Sequence, residues 1–267
     1  MIIELLMLLL IGLLAGMSGS LVGLGGGFIV VPALAFLFPD MLPAHLAGTS
    51  MAMLLVNSIS STYVYAKQQR IEYQAALWFA AASIPGSVIG AFWVESMTGK
   101  AFYIGFGAFL IFVSLLLIFK PKQSIGALHF RPTVSRTLVD ASGESFPLAY
   151  HLPVGVAISF FVGFLSSLFG VGGGSLMVPT MTLLLLFPPH IAVATSMFQI
   201  SLSAVVSTTT HAFLLNIDWM KVLMLAPGAF VGGQIGARLA KRIPAGVLVK
   251  VLAVMLMLVA FRLMMKS

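Results

Sequence analysis

The chain alternates long apolar runs with short polar punctuation from one end to the other. Runs lie near Leu5–Val22, Ala44–Ala66, Tyr73–Val94, Ala101–Phe119, Leu152–Phe169, Ile191–Leu215, Trp219–Leu239 and Val247–Met265. Each approaches or exceeds the roughly 20 helical residues that cross a hydrocarbon core of about 30 Å. The runs are continuous and lack the alternation of barrel strands, so the pattern predicts an all-α, polytopic helical membrane protein. Two shorter apolar segments, Phe28–Phe38 and Ser175–Phe187, interrupt the series at corresponding places. The first has 11 residues, or ~16 Å of helix, about half a bilayer. Such a segment either turns back as a re-entrant hairpin, crosses fully, or completes a broken span.

Both short segments follow the same interruption. Gly23, Gly25, Gly26 and Gly27 form a Gly-x-Gly-Gly-Gly break in the first half, and Gly170, Gly172, Gly173 and Gly174 repeat it in the second. A proline, Pro32 or Pro179, stands five residues after the last glycine of each. The correspondence continues: Thr49-Ser50-Met51 matches Thr195-Ser196-Met197, and Arg70-Ile71-Glu72-Tyr73 matches Asn216-Ile217-Asp218-Trp219. Pro85-Gly86-x3-Gly90 likewise matches Pro227-Gly228-x3-Gly232. The chain therefore divides into a first membrane repeat (1–119), a polar linker (120–151) read as cytoplasmic, and a second membrane repeat (152–267).

Basic residues orient these halves, because cytoplasmic connections carry the excess of Lys and Arg. Lys67 and Arg70 mark one connection of the first half as inside, as do Lys120, Lys122, Arg131 and Arg136 in the linker. In the second half the equivalent of the Lys67 connection, Asn216–Asp218, has no base, whereas Arg238, Lys241 and Arg242 mark the next one. The flip predicts two homologous halves of inverted topology with glycine-broken short helices and both termini outside. Arg262 and Lys266 weigh against the outer C-terminus, and a parallel duplication with four spans in each half is the alternative.

Composition agrees with the membrane reading: 60% of residues are hydrophobic, 8% are charged, and mean hydropathy is +1.11, far from the soluble range. The net charge of +7 sits mainly in connections and linker, which speaks for orientation rather than nucleic-acid binding. With no cysteine, disulfides, thiolate metal sites and cysteine nucleophiles are excluded. The Met1-Ile-Ile-Glu4 start lacks the basic region of a cleaved leader and reads as retained.

The breaks carry the candidate chemistry. Glycines let successive amides converge, and the helix that begins after each break points its positive end at the same place. Such a site suits an anion. Thr49, Ser50 and Asn57 on one following helix, and Thr195, Ser196 and Gln199 on the other, add neutral donors for an oxyanion; Ser60, Ser61, Thr62, Ser203, Ser207 and Thr208 continue these stripes. Interhelical hydrogen bonding explains the same residues without a ligand, and close helix packing accounts for Gly86, Gly90, Gly228, Gly232 and Gly236. His211 is the ionisable residue best placed inside a span, either as a proton relay or as a histidine bonded to its neighbours. His45 and His190 read as interface residues, and Glu72 and Asp218 as caps or anchors. No residue set suggests a metal, a cofactor or an intramembrane enzyme; a passive anion channel is the closer rival to a carrier.

The paired GLGGGFIVVP and GVGGGSLMVP segments, the Thr-Ser-Met elements and the Pro-Gly-x3-Gly elements resemble the TauE/SafE family of membrane permeases over essentially the whole chain. The resemblance implies a secondary transporter of the cell membrane that takes a small anion of the sulfite or organosulfonate class, by export or, in some members, by uptake. Pro32 and Pro179 with the glycine breaks are the positions that carry it.

Overall fold

The computed structural model describes residues 2–118 and 131–240, together with Met257, Ala260 and Phe261. The expected last helix, Val247–Met265, falls almost wholly outside the described residues. The elements are α1 (Ile2–Val22), α2 (Gly27–Leu37), α3 (Pro43–Lys67), α4 (Tyr73–Glu95), α5 (Gly99–Ile118), β1 (Val134–Val139), β2 (Ser145–Tyr150), α6 (Leu152–Phe169), α7 (Gly174–Leu183), α8 (Pro189–Phe213) and α9 (Trp219–Leu239). Five of these, α1, α4, α6, α8 and α9, are long and apolar enough to cross a membrane. Large apolar side chains such as Leu10, Trp78, Phe92, Trp93, Phe161 and Leu223 stand exposed, as lipid-facing side chains do. The protein is a multi-pass helical membrane protein.

Helix starts follow local chemistry. Pro43 and Pro189 open α3 and α8, where the missing amide costs nothing and the fixed φ suits the first turn. Asp218 caps α9, its carboxylate accepting from the Lys221 amide at 3.1 Å. Glu72 occupies the same place before α4 but makes no side-chain cap; of the two roles expected for it, the anchor is the one seen, as described below. The second short helix ends at Leu183, ahead of the expected Phe187, because the chain turns there through Leu186 at φ 58.

Small residues set which helices touch. A Cβ on Gly12 or Gly16 of α1 would overlap the Leu225 or Ala229 carbonyl, and one on Gly228, Gly232 or Gly236 of α9 would overlap the Leu9, Leu13 or Met17 carbonyl. Positions rise together along both helices, so α1 and α9 run the same way at backbone contact. Gly86 and Gly90 of α4 meet the Phe160 and Phe164 carbonyls of α6 in the same manner. Without water to expel between helices, such close backbone packing and the hydrogen bonds between helices drive their association.

The α3 helix also runs with α9. Its Thr49 accepts from the Asp218 amide at 3.0 Å, Ser60 donates to the Phe230 carbonyl at 2.6 Å, and Gln68 just past its end donates to the Ala237 carbonyl at 3.2 Å. The chain then turns over 68–72 into α4, whose start lies beside the first turns of α8: the Glu72 amide donates to Thr195 at 3.0 Å, and the Tyr73 and Phe198 rings stand 5.2 Å apart. Thus α4, α6 and α8 run opposite to α1, α3 and α9.

The linker holds a structure that the polar composition did not predict. Its strands β1 and β2 pair antiparallel from Val134↔Tyr150 to Val139↔Ser145. Asp140 Oδ1 closes the turn by accepting from the Ser142 and Glu144 amides at 2.8 and 3.2 Å, and Gly143 takes φ 84. Leu148 and Tyr150 pack with Phe79 of α4, Met177 and Met181 of α7, Phe187 in the turn before α8, and Ala192 in the first turn of α8.

Candidate functional site

Both glycine breaks are wholly buried. Gly23, Gly25 and Gly26 take φ of 79, 85 and 94, and Gly170 and Gly172 take 68 and 82, a left-handed backbone that only glycine adopts without strain. These angles reverse the chain. Gly26 returns against the Ala15 carbonyl, and Gly19 of α1 lies against the Gly26 amide. In the second half Gly173 lies near Val162, and Ser159 Oγ reaches Met177 Sδ at 3.5 Å. The short helices α2 and α7 therefore double back along α1 and α6.

The breaks, far apart in sequence, meet. A Cβ on Gly27 would overlap the Gly170 carbonyl, and one on Gly174 would overlap the Gly23 carbonyl; the Leu54 side chain packs against both Gly25 and Gly172. Serines bind them crosswise. Ser50 of the first half donates to the Gly170 carbonyl at 2.7 Å, and Ser196 of the second donates to the Gly23 carbonyl at 3.1 Å. Thr49 and Thr195, one residue earlier, accept from the Asp218 and Glu72 amides of the opposite halves. Asn57 Nδ2 donates to the Gly25 carbonyl at 2.8 Å. Among the described residues, the amides of Gly26, Gly27, Phe28, Gly172, Gly173 and Gly174 have no backbone acceptor. Two helix starts thus bring unpaired donors toward one buried region, and unpaired amides in a membrane interior are costly.

Polar side chains line the α3 and α8 helices beyond the breaks. Ser20 of α1 bonds Ser61 and, at 3.0 Å, Asn57 Oδ1, while Tyr65 donates to the Ser20 carbonyl at 2.7 Å. In the other half Ser167 of α6 pairs with Ser207 at 2.7 Å, and His211 Nε2 lies 3.2 Å from the Ser167 carbonyl. Ser20 and Ser167 were not singled out from the sequence, although each sits three residues before a break. His211 is fully buried, and its Nδ1 has no partner; Gln199 Oε1 and Thr208 Oγ1 are likewise buried without one. No group of three or more metal-ligating side chains occurs among the described residues. His45 Nδ1 is also buried and unpartnered.

At the end of α3 charges pair under the hairpin. Arg70 donates to Asp140 Oδ2 through Nε at 3.0 Å and through Nη2 at 2.8 Å. Arg136 bridges Glu72 at 3.0 Å, and Tyr150 donates to Glu72 Oε1 at 3.0 Å. The Ser142 hydroxyl and then the Arg70 guanidinium hold the Asp140 carboxyl well below the usual range against the opposing effect of burial. Burial first, and the Glu72 carboxylate next, push the Tyr150 phenol up. At the opposite end of the molecule the Asn216 side-chain amide donates to Glu95, and Lys221 pairs with Asp218.

A bundle of apolar helices around two opposed, glycine-made hairpins defines a multi-pass membrane transporter scaffold, and comparison with known proteins agrees. The profile of the family described as Sulfite exporter TauE/SafE matches residues 8–263, and the chain belongs to that family. It is similar to the probable membrane transporter protein YunE of Bacillus subtilis (strain 168), with 41% identity over 96% of both chains. It is also similar to the probable membrane transporter protein MJ0441 of Methanocaldococcus jannaschii, with 27% identity over 89% of this chain and 86% of the relative. A third, the probable membrane transporter protein ORF9 of a Sinorhizobium species, shows 27% identity over 94% of this chain and 88% of the relative. No solved structure matches significantly.

Proposed function

We propose that this transporter is a secondary carrier that exports a small oxyanion, sulfite or an organosulfonate, bound between the two glycine breaks near the membrane midplane. The observation that carries the reading is the meeting of two symmetric helix starts whose amides lack backbone acceptors, a donor array suited to an oxyanion. Gly23, Gly25, Gly26, Gly27, Gly170, Gly172, Gly173 and Gly174 supply the backbone; Thr49, Ser50, Asn57, Thr195, Ser196 and Gln199 surround it. The halves lie inverted in the bilayer, consistent with opposed helix directions and with paired bonds such as Ser50–Gly170 and Ser196–Gly23. Transport proceeds by one half rocking on the other.

Export needs no coupling residue, because a cytoplasm-negative potential expels an anion with ~2.3 kcal/mol per charge per 100 mV. The scarcity of acids within the spans fits that economy. Proton-coupled uptake would instead draw on His211, whose buried ring is held by Ser167. The test is flux of labelled sulfite in proteoliposomes with sulfate, taurine and a small sulfonate as competitors. The carrier reading requires saturable flux with counterflow; flux that never saturates and shows no counterflow would assign a passive anion channel.

A further inference from the structure

The two ends of the molecule are built on the same plan, with one difference. At one end Thr49 receives the Asp218 amide; at the other Thr195 receives the Glu72 amide. Among the described residues only the Glu72 end bears a β-hairpin. It is held to the first half by Arg70–Asp140, by Arg136–Glu72, by Tyr150–Glu72 and by the Ala141 amide on the Gln68 carbonyl at 3.1 Å. To the second half it is held by apolar contact, with the Tyr150 and Phe187 rings 4.9 Å apart and Leu148 in the same cluster as Leu185 and Ala192. Tyr150 takes part in both attachments.

The geometry points to the 134–150 hairpin as a clasp that ties the two halves together at this end and releases before this end opens. The inference rests on the reading of the protein as an alternating carrier. A carrier whose halves rock must part them at each end in turn. Here parting stretches a strap that is anchored on both halves, one anchor being an ion pair whose side chains are 9% and 0% exposed. Breaking such a pair leaves a charge buried and uncompensated, so it resists opening far more than a surface pair would. Among the described residues the opposite end carries no second hairpin: its charged contacts between the halves are Asn216–Glu95 and the Lys221 ammonium 4.4 Å over the Phe38 ring, with Lys221–Asp218 inside one half. Closure is therefore weighted toward the Glu72 end, and the resting protein favours the state open at the other.

The test uses the cysteine-free background. Ala192→Cys places a thiol under the hairpin, and Leu46→Cys places one at the same point of α3 at the opposite end; both native side chains are fully buried. Labelling by a polar maleimide is followed in nanodiscs, where both faces meet solvent. Arg70→Gln is expected to speed labelling at 192 by about tenfold, the factor that corresponds to ~1.4 kcal/mol, and to leave 46 unchanged. Tyr150→Phe, a deletion of one hydroxyl, is expected to act in the same direction to a smaller extent and serves if Arg70→Gln fails to fold. Unchanged rates at 192 in the folded variants, or equal acceleration at both positions, would overturn the clasp. A failed carrier reading would look different: both rates would ignore added sulfite while the Arg70→Gln effect at 192 stood.

Discussion

Replacing Thr195 with valine keeps the shape of the side chain and removes one oxygen. The Glu72 amide then loses its 3.0 Å acceptor in a residue that is 3% exposed. A buried donor left unmade costs about 1–3 kcal/mol. At the other end Thr49→Val orphans the Asp218 amide, which is only partly buried, so its cost falls near the lower limit. Each kcal/mol lowers an unfolding midpoint by about 2–4 °C in a chain of this size class. Thermal unfolding of purified protein in detergent should therefore show a larger drop for Thr195→Val than for Thr49→Val, with the serine variants close to wild type. An unchanged midpoint in Thr195→Val, or a larger loss in Thr49→Val, would refute the claim that these hydroxyls tie the opposed halves through loop amides.

Gly27→Ala and Gly174→Ala each drive a methyl into the carbonyl of the opposite break; with backbone on both sides, each should destabilise by at least the ~1–3 kcal/mol typical of overpacking, read as a lowered midpoint and lost expression. Asp140 has a folded pKa below its unfolded value of about 3.9, so its stabilisation is complete above that value and is lost as pH falls toward the native one. Hydrogen exchange of the Ala141 amide, corrected for intrinsic rate, should accordingly stay constant from about pH 7 to pH 5 and rise only in stronger acid; loss of protection already above pH 5 would contradict it. For proton-coupled uptake, His211→Ala should abolish pH-dependent flux, and pH dependence surviving in that variant would remove His211 from the mechanism.

The described helices and both breaks were legible because hydropathy and glycine placement are local signals written into consecutive residues. Glycine packing was legible too: the four-residue spacing of Gly228, Gly232 and Gly236 marks one face, and that face meets α1. What the sequence withheld was pairing between distant residues. Ser50 and Ser196 read as free donors, yet each is spent on a break in the other half, a relation fixed by three-dimensional crossing rather than by spacing. The hairpin escaped because its strands are only six residues each and lie in a segment whose charged residues, Arg131, Arg136, Asp140 and Glu144, marked it as a linker. Arg70 read as an orientation charge although it meets Asp140 seventy positions away. The early end of α7 was hidden for a different reason: Leu183–Phe187 stays apolar through the turn, so no polar residue marks it.

The most direct measurement compares sulfite flux in proteoliposomes containing the wild-type protein with flux through Gly173→Leu. Gly173 is the break glycine best suited to this, because its φ is −61 and an added Cβ meets only Val162, at 3.1 Å; every other break glycine has a left-handed backbone or abuts a carbonyl. A site between the breaks predicts saturable wild-type flux and its loss in a variant that still purifies as a folded species. Undiminished flux in folded Gly173→Leu would place the anion elsewhere in the molecule.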